Sequence, residues 1–395
     1  MHLLEGVVQS YAWGTADAIP RLLRRAADGT PQAEYWLGTH PQGAARAGNV
    51  ALGRLLADDR SLLGAGVRRA FGNELPFMMK VLSARHALSI QVHPSRKQAE
   101  RGYAREDAAG TPLDASHRVY SDSWPKPEVM IALEPFETLS GFRDPLATAS
   151  LFAELGVADK LGSLVATLSQ RRGAATLLEI FLDILTLDDE RTRALRAILA
   201  AAEQHAADRG ALGDFARTAL ELNDIFPGDR GILAALLMNR MSLRPGEAVF
   251  LPAGQLHAHL RGTGVEVLAN SDNVIRGGLT PKHVDVGELI KVVDFEPREP
   301  RVLRPVPLMP GLAAYDFSCP EFEVWQVSGV DAPTHLPGVG SARIMMVVEG
   351  ALQIRDTSGT STLLQQGDAV LLGAAERDLE FWGEGLAFLS AAGSR

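Results

Sequence analysis

The stretch SIQVHPS at residues 89–95 puts an amide and an imidazole side by side. Gln91 and His93 occupy alternate positions, whereas Ile90 and Val92 point the other way if the stretch is a strand. Side chains two residues apart lie on one face of a strand, so Gln91 and His93 can offer an oxygen and a nitrogen to the same ion. The pair therefore predicts metal binding.

A second signal for a metal lies in a segment rich in glycine and proline. Gly246, Pro252, Gly254 and His257 follow the spacing Gly-x5-Pro-x-Gly-x2-His. The glycine turn feeds the strand EAVFL, Pro-x-Gly makes a tight corner, and the histidine begins the next strand. This spacing resembles the second signature of the cupin superfamily, whose small barrels often hold a metal through inward-facing histidine and glutamate.

A carboxylate for the same ion is found in Glu128, at the start of the strand-like segment KPEVMIAL. With Gln91, His93 and His257 it makes a set of one amide, two imidazoles and one carboxylate. Such a set suits a borderline divalent ion such as zinc and leaves room for water or a substrate oxygen. His259 is the rival ligand, because the sequence HAH places two imidazoles on one strand face.

The segments that carry these residues are of two kinds. Short β-type runs such as LPFMMKVLSA and PEVMIALEPF fill residues 1–145 and return after residue 240. Residues 146–240 have helical patterning, as in TLLEIFLDILTL, where apolar residues recur at three- and four-residue spacing. A proline-rich linker near residue 300 leads to a last β segment that weakly repeats the earlier pattern of strand, glycine turn and strand.

We therefore expect a mainly β fold with an α-helical insertion: two cupin-like barrels (double-stranded β-helix, jelly-roll) and a helical domain. Residues 1–145 and 241–300 form the metal-binding catalytic domain in this interpretation, and residues 146–240 form the helical insertion. Residues 301–395 form a C-terminal barrel that is degenerate, because it lacks the metal-binding version of the motif.

Composition limits the classes of partner. The 395 residues are 46% apolar and carry a formal net charge of −9, which argues against nucleic acid or an anionic membrane as the main partner. The single cysteine, Cys319, excludes an intramolecular disulfide and a cluster of thiolate ligands. The N-terminus lacks a basic start followed by an apolar run, so we expect a cytoplasmic protein.

A resemblance to a known family extends from Tyr11 to about Phe295. The chain resembles type I mannose-6-phosphate isomerases in the segments AEYWLGTHP, LPFMMKVLSARHALSIQVHPS, PKPEVMIALEPFETLSGFR, FLPAGQLHAHL and VEVLANSDNVIRGGLTPKHVDV. The resemblance implies paired cupin-like barrels with a helical domain, and one zinc ion per chain. It also implies that Gln91, His93, Glu128 and His257 are the zinc ligands.

The reaction implied by the resemblance interconverts mannose 6-phosphate and fructose 6-phosphate. An aldose-ketose isomerase opens the sugar ring, moves a proton between C1 and C2 through a cis-enediol, and stabilises the developing oxyanion. The resemblance places Arg276 in the active site as the key cation, with Glu266, Asp272 and Lys282 around it. The proton carrier is Glu266 or Asp272, and zinc either polarises a substrate oxygen or holds the substrate and site in place.

The phosphate group of a small sugar phosphate, the expected partner, needs hydroxyl and ammonium donors. Ser89, Lys126 and Lys80 are the candidates, since the first two lie two residues from the ligands Gln91 and Glu128. His259 stands where the family commonly has an aromatic residue, and we interpret it as a substrate contact or proton carrier. We expect a monomer.

Two other functions fit parts of the same pattern. Two histidines, a glutamate and a fourth ligand also suit an Fe(II)-dependent cupin oxygenase, although Lys126, Arg276 and Lys282 indicate an anionic substrate. A noncatalytic cupin that binds sugar phosphates is the other alternative. It has little need of acid/base groups such as Glu266 and Asp272 beside a metal.

Overall fold

The fold is mainly β, as the sequence predicts. The computed structural model describes residues 1–161, 163–170, 173–185 and 189–393, and these residues form 21 strands and 11 α-helices. The strands are β1 (His2–Leu4), β2 (Val7–Gln9), β3 (Glu34–Leu37), β4 (Arg46–Ala47), β5 (Val50–Ala51), β6 (Phe77–Ala84), β7 (Ile90–Val92), β8 (Glu128–Ala132), β9 (Phe136–Phe142), β10 (Met238–Leu243), β11 (Ala248–Leu251), β12 (His257–Ala269), β13 (Ile275–Gly278), β14 (Val306–Met309), β15 (Leu312–Ala314), β16 (Glu323–Ser328), β17 (Thr334–His335), β18 (Arg343–Arg355), β19 (Ser361–Gln365), β20 (Ala369–Leu372) and β21 (Glu380–Ala391).

Six of the helices follow one another between β9 and β10, two strands that pair with each other. All the helices are α1 (Ala18–Leu22), α2 (Leu52–Asp58), α3 (Ala65–Phe71), α4 (Arg96–Ala108), α5 (Pro145–Glu154), α6 (Ser163–Gln170), α7 (Ala174–Leu185), α8 (Asp189–His205), α9 (Ala211–Ile225), α10 (Gly231–Leu236) and α11 (Val286–Val292). None of the helices in the described ranges is long and apolar enough to cross a membrane.

The ten-stranded sheet, here called the site sheet, is organised around β12. The first half of this long strand pairs with β9 and β7, and the second half, from Gly262 on, pairs with β6 and β8. At Gly262 the backbone has a φ of +123°, a conformation that residues other than glycine rarely adopt. The bend lets one strand belong to two groups of partners and brings β6, β7, β8 and β9 around a common centre.

The helices between β9 and β10 pack on one side of the site sheet through an apolar core. In α7 the predicted spacing is confirmed, since Leu177, Phe181 and Ile184 are buried in this core. Phe142 of β9 contacts Phe181 edge to face, with ring centroids 5.7 Å apart. Asp144 caps the start of α5: its carboxylate accepts hydrogen bonds from two backbone N–H groups of the first turn.

A nine-stranded sheet contains most of the chain after residue 305 and is here called the C-terminal sheet. Its strand order is β1-β20-β18-β21-β16-β15-β14, with β17 paired to β21 and β19 paired to β18. The strand β1, from the other end of the chain, pairs antiparallel with β20. Apolar residues of both sheets, among them Phe77, Val265, Met346 and Phe388, are buried in one shared core.

Candidate active site

The residues predicted from sequence converge on one cleft of about 840 Å³ beside β12. Eleven of the twelve predicted site residues line it: Lys80, Ser89, Gln91, Lys126, Glu128, His257, His259, Glu266, Asp272, Arg276 and Lys282. The twelfth, His93, is buried and lies against Glu128. Ile225 and Phe226, at the end of α9, add an apolar part of the wall, so the helices also shape this cleft.

Three of the predicted metal ligands lie close together and are almost fully buried. His93, Glu128 and His257 are 1%, 4% and 3% exposed, and one ligand atom from each lies within 4.8 Å of the other two. Each imidazole Nε2 is 3.4 Å from an oxygen of Glu128. Zinc bonds of about 2.1 Å separate neighbouring tetrahedral ligands by about 3.4 Å. The spacing of these three side chains therefore fits a zinc ion.

Hydrogen bonds on the far side of both rings fix which nitrogen faces the centre. Nδ1 of His93 is 2.7 Å from the carbonyl oxygen of Asn273, and Nδ1 of His257 is 3.0 Å from that of Gln255. A carbonyl only accepts hydrogen bonds, so Nδ1 carries the proton in both rings and Nε2 keeps a free lone pair. The buried Nε2 of His93 has no hydrogen-bond partner in the part of the chain that the structure describes, as a nitrogen reserved for a metal requires.

The fourth predicted ligand comes from the neighbouring strand. Gln91 in β7 lies opposite His257 of β12 on one side and opposite Arg276 of β13 on the other. Its amide nitrogen donates to the hydroxyl oxygen of Ser89 at 3.2 Å, which leaves the amide oxygen for an ion. His93 lies one residue beyond the end of β7, so the predicted alternation continues past the paired part of the strand.

The charge of Glu128 is maintained by its neighbours. Burial opposes its ionisation, but the Lys126 ammonium, 3.1 Å from Oε1, holds the pKa of Glu128 well below its ordinary value. Burial lowers the pKa of His93, so this ring is neutral. An ionised carboxylate and a neutral imidazole are the forms that bind a metal.

A buried ion-pair network lies next to the predicted metal ligands. Lys80 Nζ is 2.6 Å from Glu266 Oε2 and 2.8 Å from Glu34 Oε1, and Trp36 Nε1 donates to Glu34 at 2.9 Å. Burial opposes charge on Lys80 and on Glu266. The two carboxylates nevertheless raise the pKa of Lys80 above its ordinary value, and Lys80 lowers that of Glu266. Lys80 and Glu266 are therefore both charged.

Glu34 is a cleft residue that the sequence alone does not single out. Its side chain shares a face of β3 with Trp36, and β3 pairs with β6 so that Glu34 lies near Lys80. His40 also lines the cleft; its Nε2 is 2.8 Å from Asp272, and this hydrogen bond lowers the pKa of Asp272. The i and i+2 spacing of Glu34 and Trp36 was a signal, but the partner of each depends on strand register.

His259 does not fit the role of a metal ligand. Its Nε2 is 3.1 Å from Oε1 of Glu266, an ionised carboxylate that accepts hydrogen bonds, so Nε2 bears a proton. Glu128, His259 and Glu266 could be grouped as a second metal site by distance alone. The Lys80 ammonium beside Glu266 and the protonated Nε2 make that cluster unsuited to a cation.

Comparisons with known proteins point to a single family. Residues 1–145 match the family model "Phosphomannose isomerase type I, catalytic domain". Mannose-6-phosphate isomerase of Salmonella typhimurium is 36% identical over 395 residues, 98% of each chain. The apo form of the Salmonella typhimurium enzyme, a solved structure, superimposes with a TM-score of 0.90 at 34% identity, covering 100% of this chain and 99% of that one. A zinc-bound mannose 6-phosphate isomerase superimposes with a TM-score of 0.89 at 33% identity over 99% of both chains.

Proposed function

The chain belongs to the type I mannose-6-phosphate isomerase family, and we propose that it interconverts mannose 6-phosphate and fructose 6-phosphate in a zinc-dependent reaction. The main support for the proposal is that two buried clusters of side chains lie next to each other in one cleft. His93, Glu128 and His257 are spaced for a metal, and the Glu266–Lys80 ion pair beside them supplies acid/base groups.

One zinc ion is held by Gln91, His93, Glu128 and His257 in this proposal. The two bare Nε2 atoms, the ionised carboxylate and the amide oxygen make a donor set suited to zinc. When bound, zinc supplies Lewis-acid stabilisation of a substrate oxygen. Binding of Glu128 to the ion also frees the ammonium of Lys126, which otherwise neutralises that carboxylate.

Glu266 is the proposed proton carrier, because it is ionised and almost fully buried and it lines the cleft. Its carboxylate takes the proton from C2 of the open-chain aldose, and the C2–H electron pair forms the C1=C2 bond of the enediol while O1 takes a proton from a water molecule in the cleft. The hydroxide left by that water then takes the O2–H proton as the C2 carbonyl forms, and Glu266 returns its proton to C1. Asp272 is less suited to this role, since it is half-exposed and already bonded to His40.

The charge balance of the cleft matches a phosphate monoester. Its charged lining residues are four carboxylates and four cations, namely Glu34, Glu128, Glu266 and Asp272 with Lys80, Lys126, Arg276 and Lys282. These charges cancel, and a zinc ion adds two positive charges, which a dianionic phosphate would neutralise. A sugar phosphate therefore fits the cleft better than a neutral sugar does.

Arg276 and Lys282 are the cations that this charge balance leaves available. Neither has an ion pair with any carboxylate among the described residues, and burial alone lowers the pKa of Arg276. Arg276, beside Gln91 in register, is proposed to stabilise the negative charge that develops on the enediol. Ser89, Lys126 and Lys282 are proposed to bind the phosphate, whereas two carboxylates already neutralise Lys80.

The proposal extends to the architecture. It describes the site sheet and the C-terminal sheet as cupin-like barrels, with residues 146–240 as a helical insertion and residues 301–395 as the degenerate barrel. It also takes the protein to be a monomeric cytoplasmic enzyme whose partner is a small sugar phosphate.

Assay of the purified chain tests the proposed function directly. Conversion of mannose 6-phosphate to fructose 6-phosphate is measured before chelation, after chelation and after zinc is restored, with oxygen uptake followed in parallel. We expect turnover that stops on chelation and returns with zinc, without oxygen uptake. A folded, zinc-loaded chain that does not convert the substrate would contradict the isomerase function, and oxygen uptake would favour an Fe(II) oxygenase.

A further inference from the structure

His259 lies between the proposed proton carrier and a residue outside the cleft. Its Nε2 is 3.1 Å from Oε1 of Glu266, and its Nδ1 is 3.1 Å from the hydroxyl oxygen of Thr138. The ring is 4% exposed and packs edge to face on Phe136, with ring centroids 5.2 Å apart. Thr138 is fully buried in β9 and does not line the cleft.

In the hydrogen bond between His259 and Glu266, the imidazole is the donor and the carboxylate is the acceptor. Because the carboxylate only accepts, Nε2–H of His259 donates to it whichever way the other contacts run. The hydroxyl of Thr138 is 3.1 Å from both Nδ1 and the carbonyl oxygen of Ala258, so it satisfies one or the other. Nε2 of His259 is thus committed to Glu266, and Nδ1 lies against Thr138, a residue that does not line the cleft.

Glu266 is consequently held at both of its oxygens. His259 donates to Oε1, and Lys80 lies 2.6 Å from Oε2. Lys80 is held in turn by Glu34 at 2.8 Å. The whole series from Thr138 to Glu34 is buried, so each member has few alternative partners.

We propose that His259 is a positioning residue that orients the carboxylate of Glu266 toward the substrate carbon. This inference rests on the proposed function, since it requires Glu266 to carry the proton. Glu266 lines the cleft in which C1 and C2 of the sugar must lie, and contacts at both of its oxygens fix the orientation of its carboxylate there. Without the Nε2–H donor, the carboxylate can rotate and take up water, and proton transfer slows while substrate binding does not.

Substitution of His259 in the zinc-loaded full chain tests the proposal. His259→Phe keeps a ring against Phe136 but removes the donor, and Thr138 retains the Ala258 carbonyl as an acceptor, so folding is preserved. We expect kcat to fall about 10- to 100-fold with KM changed less than about threefold. His259→Gln, whose amide can place a donor near the lost Nε2–H, restores part of kcat.

Two further measurements separate positioning from a structural role. In D2O, the fraction of fructose 6-phosphate that carries deuterium at C1 rises in His259→Phe, because water reaches the carboxylate during the enediol step. Thr138→Val, outside the cleft, lowers kcat less than His259→Phe does. The double variant has the kcat of His259→Phe alone, because both changes act through one hydrogen-bonded series.

Several outcomes would overturn the proposal. These are a kcat of His259→Phe within about twofold of wild type, a loss that appears in KM alone, or Thr138 and His259 effects that multiply. Glu266→Gln serves as the reference and should abolish turnover. An active wild type with unaffected His259→Phe contradicts only the positioning role. A wild type without turnover contradicts the proposed function, and an active Glu266→Gln contradicts the role of Glu266 as proton carrier; in either case the positioning role fails with it.

Discussion

Three buried imidazoles lie close together, yet their chemistry differs. The ring centroid of His257 is 5.1 Å from that of His93 and 6.0 Å from that of His259. In His93 and His257 a carbonyl oxygen binds Nδ1–H, so Nε2 is free for a metal. In His259 a carboxylate faces Nε2, so that nitrogen carries the proton. The residue type alone does not decide the role of a histidine here, because the partner on the other side of the ring sets the tautomer.

Replacing His257 or His259 by glutamine should therefore affect zinc differently. His257→Gln is expected to weaken zinc binding by more than the roughly 10- to 100-fold that loss of a ligand's hydrogen-bond partner typically costs. His259→Gln, two residues away on the same strand and equally buried, should keep one zinc per chain. Metal content is measured after dialysis against a weak chelator. If His259→Gln also lost its zinc, His259 would be a ligand and the tautomer assignment would be wrong.

The sequence predicts individual site residues better than it predicts which of them contact each other. The i and i+2 spacing of Gln91 and His93 and the resemblance to a family gave the proposed ligands, because these signals are local in the chain. The Thr138–His259 pair is separated by 121 residues and the Glu34–Lys80 pair by 46. Such pairs depend on which strands are neighbours and in what register, which the residues themselves do not specify.

At the scale of elements, β12 is the strand on which the site depends. It carries His257 and His259 before its bend and Glu266 after it. The proposed metal ligand His257 and the proposed proton carrier Glu266 therefore have a fixed separation only if the bend at Gly262 is kept. The sequence predicted strands in this region, but the GTG segment gave no sign that one strand would pair with four others.

Gly262→Ala is expected to distort this bend. A Cβ at that position would lie 2.7 Å from the ring of Phe136 and 2.8 Å from the carbonyl oxygen of Pro135, and the φ of +123° adds backbone strain. We expect the free energy of unfolding to fall by about 2–4 kcal/mol, and kcat to fall as well because His257 and Glu266 shift relative to each other. Denaturant unfolding and steady-state kinetics measure the two effects.

The matched control is Gly66→Ala in α3. A Cβ there meets nothing within 4 Å and the backbone is helical, so the free energy of unfolding should rise by about 0.5–1 kcal/mol. Its kcat should equal that of wild type. A Gly262→Ala protein as stable and active as the Gly66→Ala protein would show that the bend does not set the geometry of the site.

At the scale of the whole molecule, the two sheets are joined by a common interior. Phe77 and Val265 of the site sheet share a core with Met346 and Phe388 of the C-terminal sheet. The strand β1, in the part of the chain predicted to belong to the catalytic domain, pairs with β20 of the C-terminal sheet. Composition and patterning divide a chain into consecutive segments, so they cannot reveal a strand that crosses from one sheet to the other.

The shared core predicts that both sheets unfold in a single transition. Zinc at a concentration a thousandfold above its dissociation constant stabilises the folded state by about 4 kcal/mol. For a chain of this length that corresponds to a rise in Tm of about 5 °C. Because the interior is common, chelation should shift the whole calorimetric transition, although the proposed zinc ligands all lie in the site sheet.

Phe381→Ala tests the same coupling between the two sheets by destabilising the C-terminal sheet instead of the site sheet. Phe381 is buried in a core formed by residues of the C-terminal sheet, far from the proposed ligands in the chain, and its truncation should cost about 3–5 kcal/mol. If the sheets unfold together, the single transition moves to lower temperature and chelation lowers it further by the same increment as in wild type. Two separate transitions, with Phe381→Ala moving one and chelation the other, would mean that the shared core does not couple the sheets and that the metal site is stable without the C-terminal part of the chain.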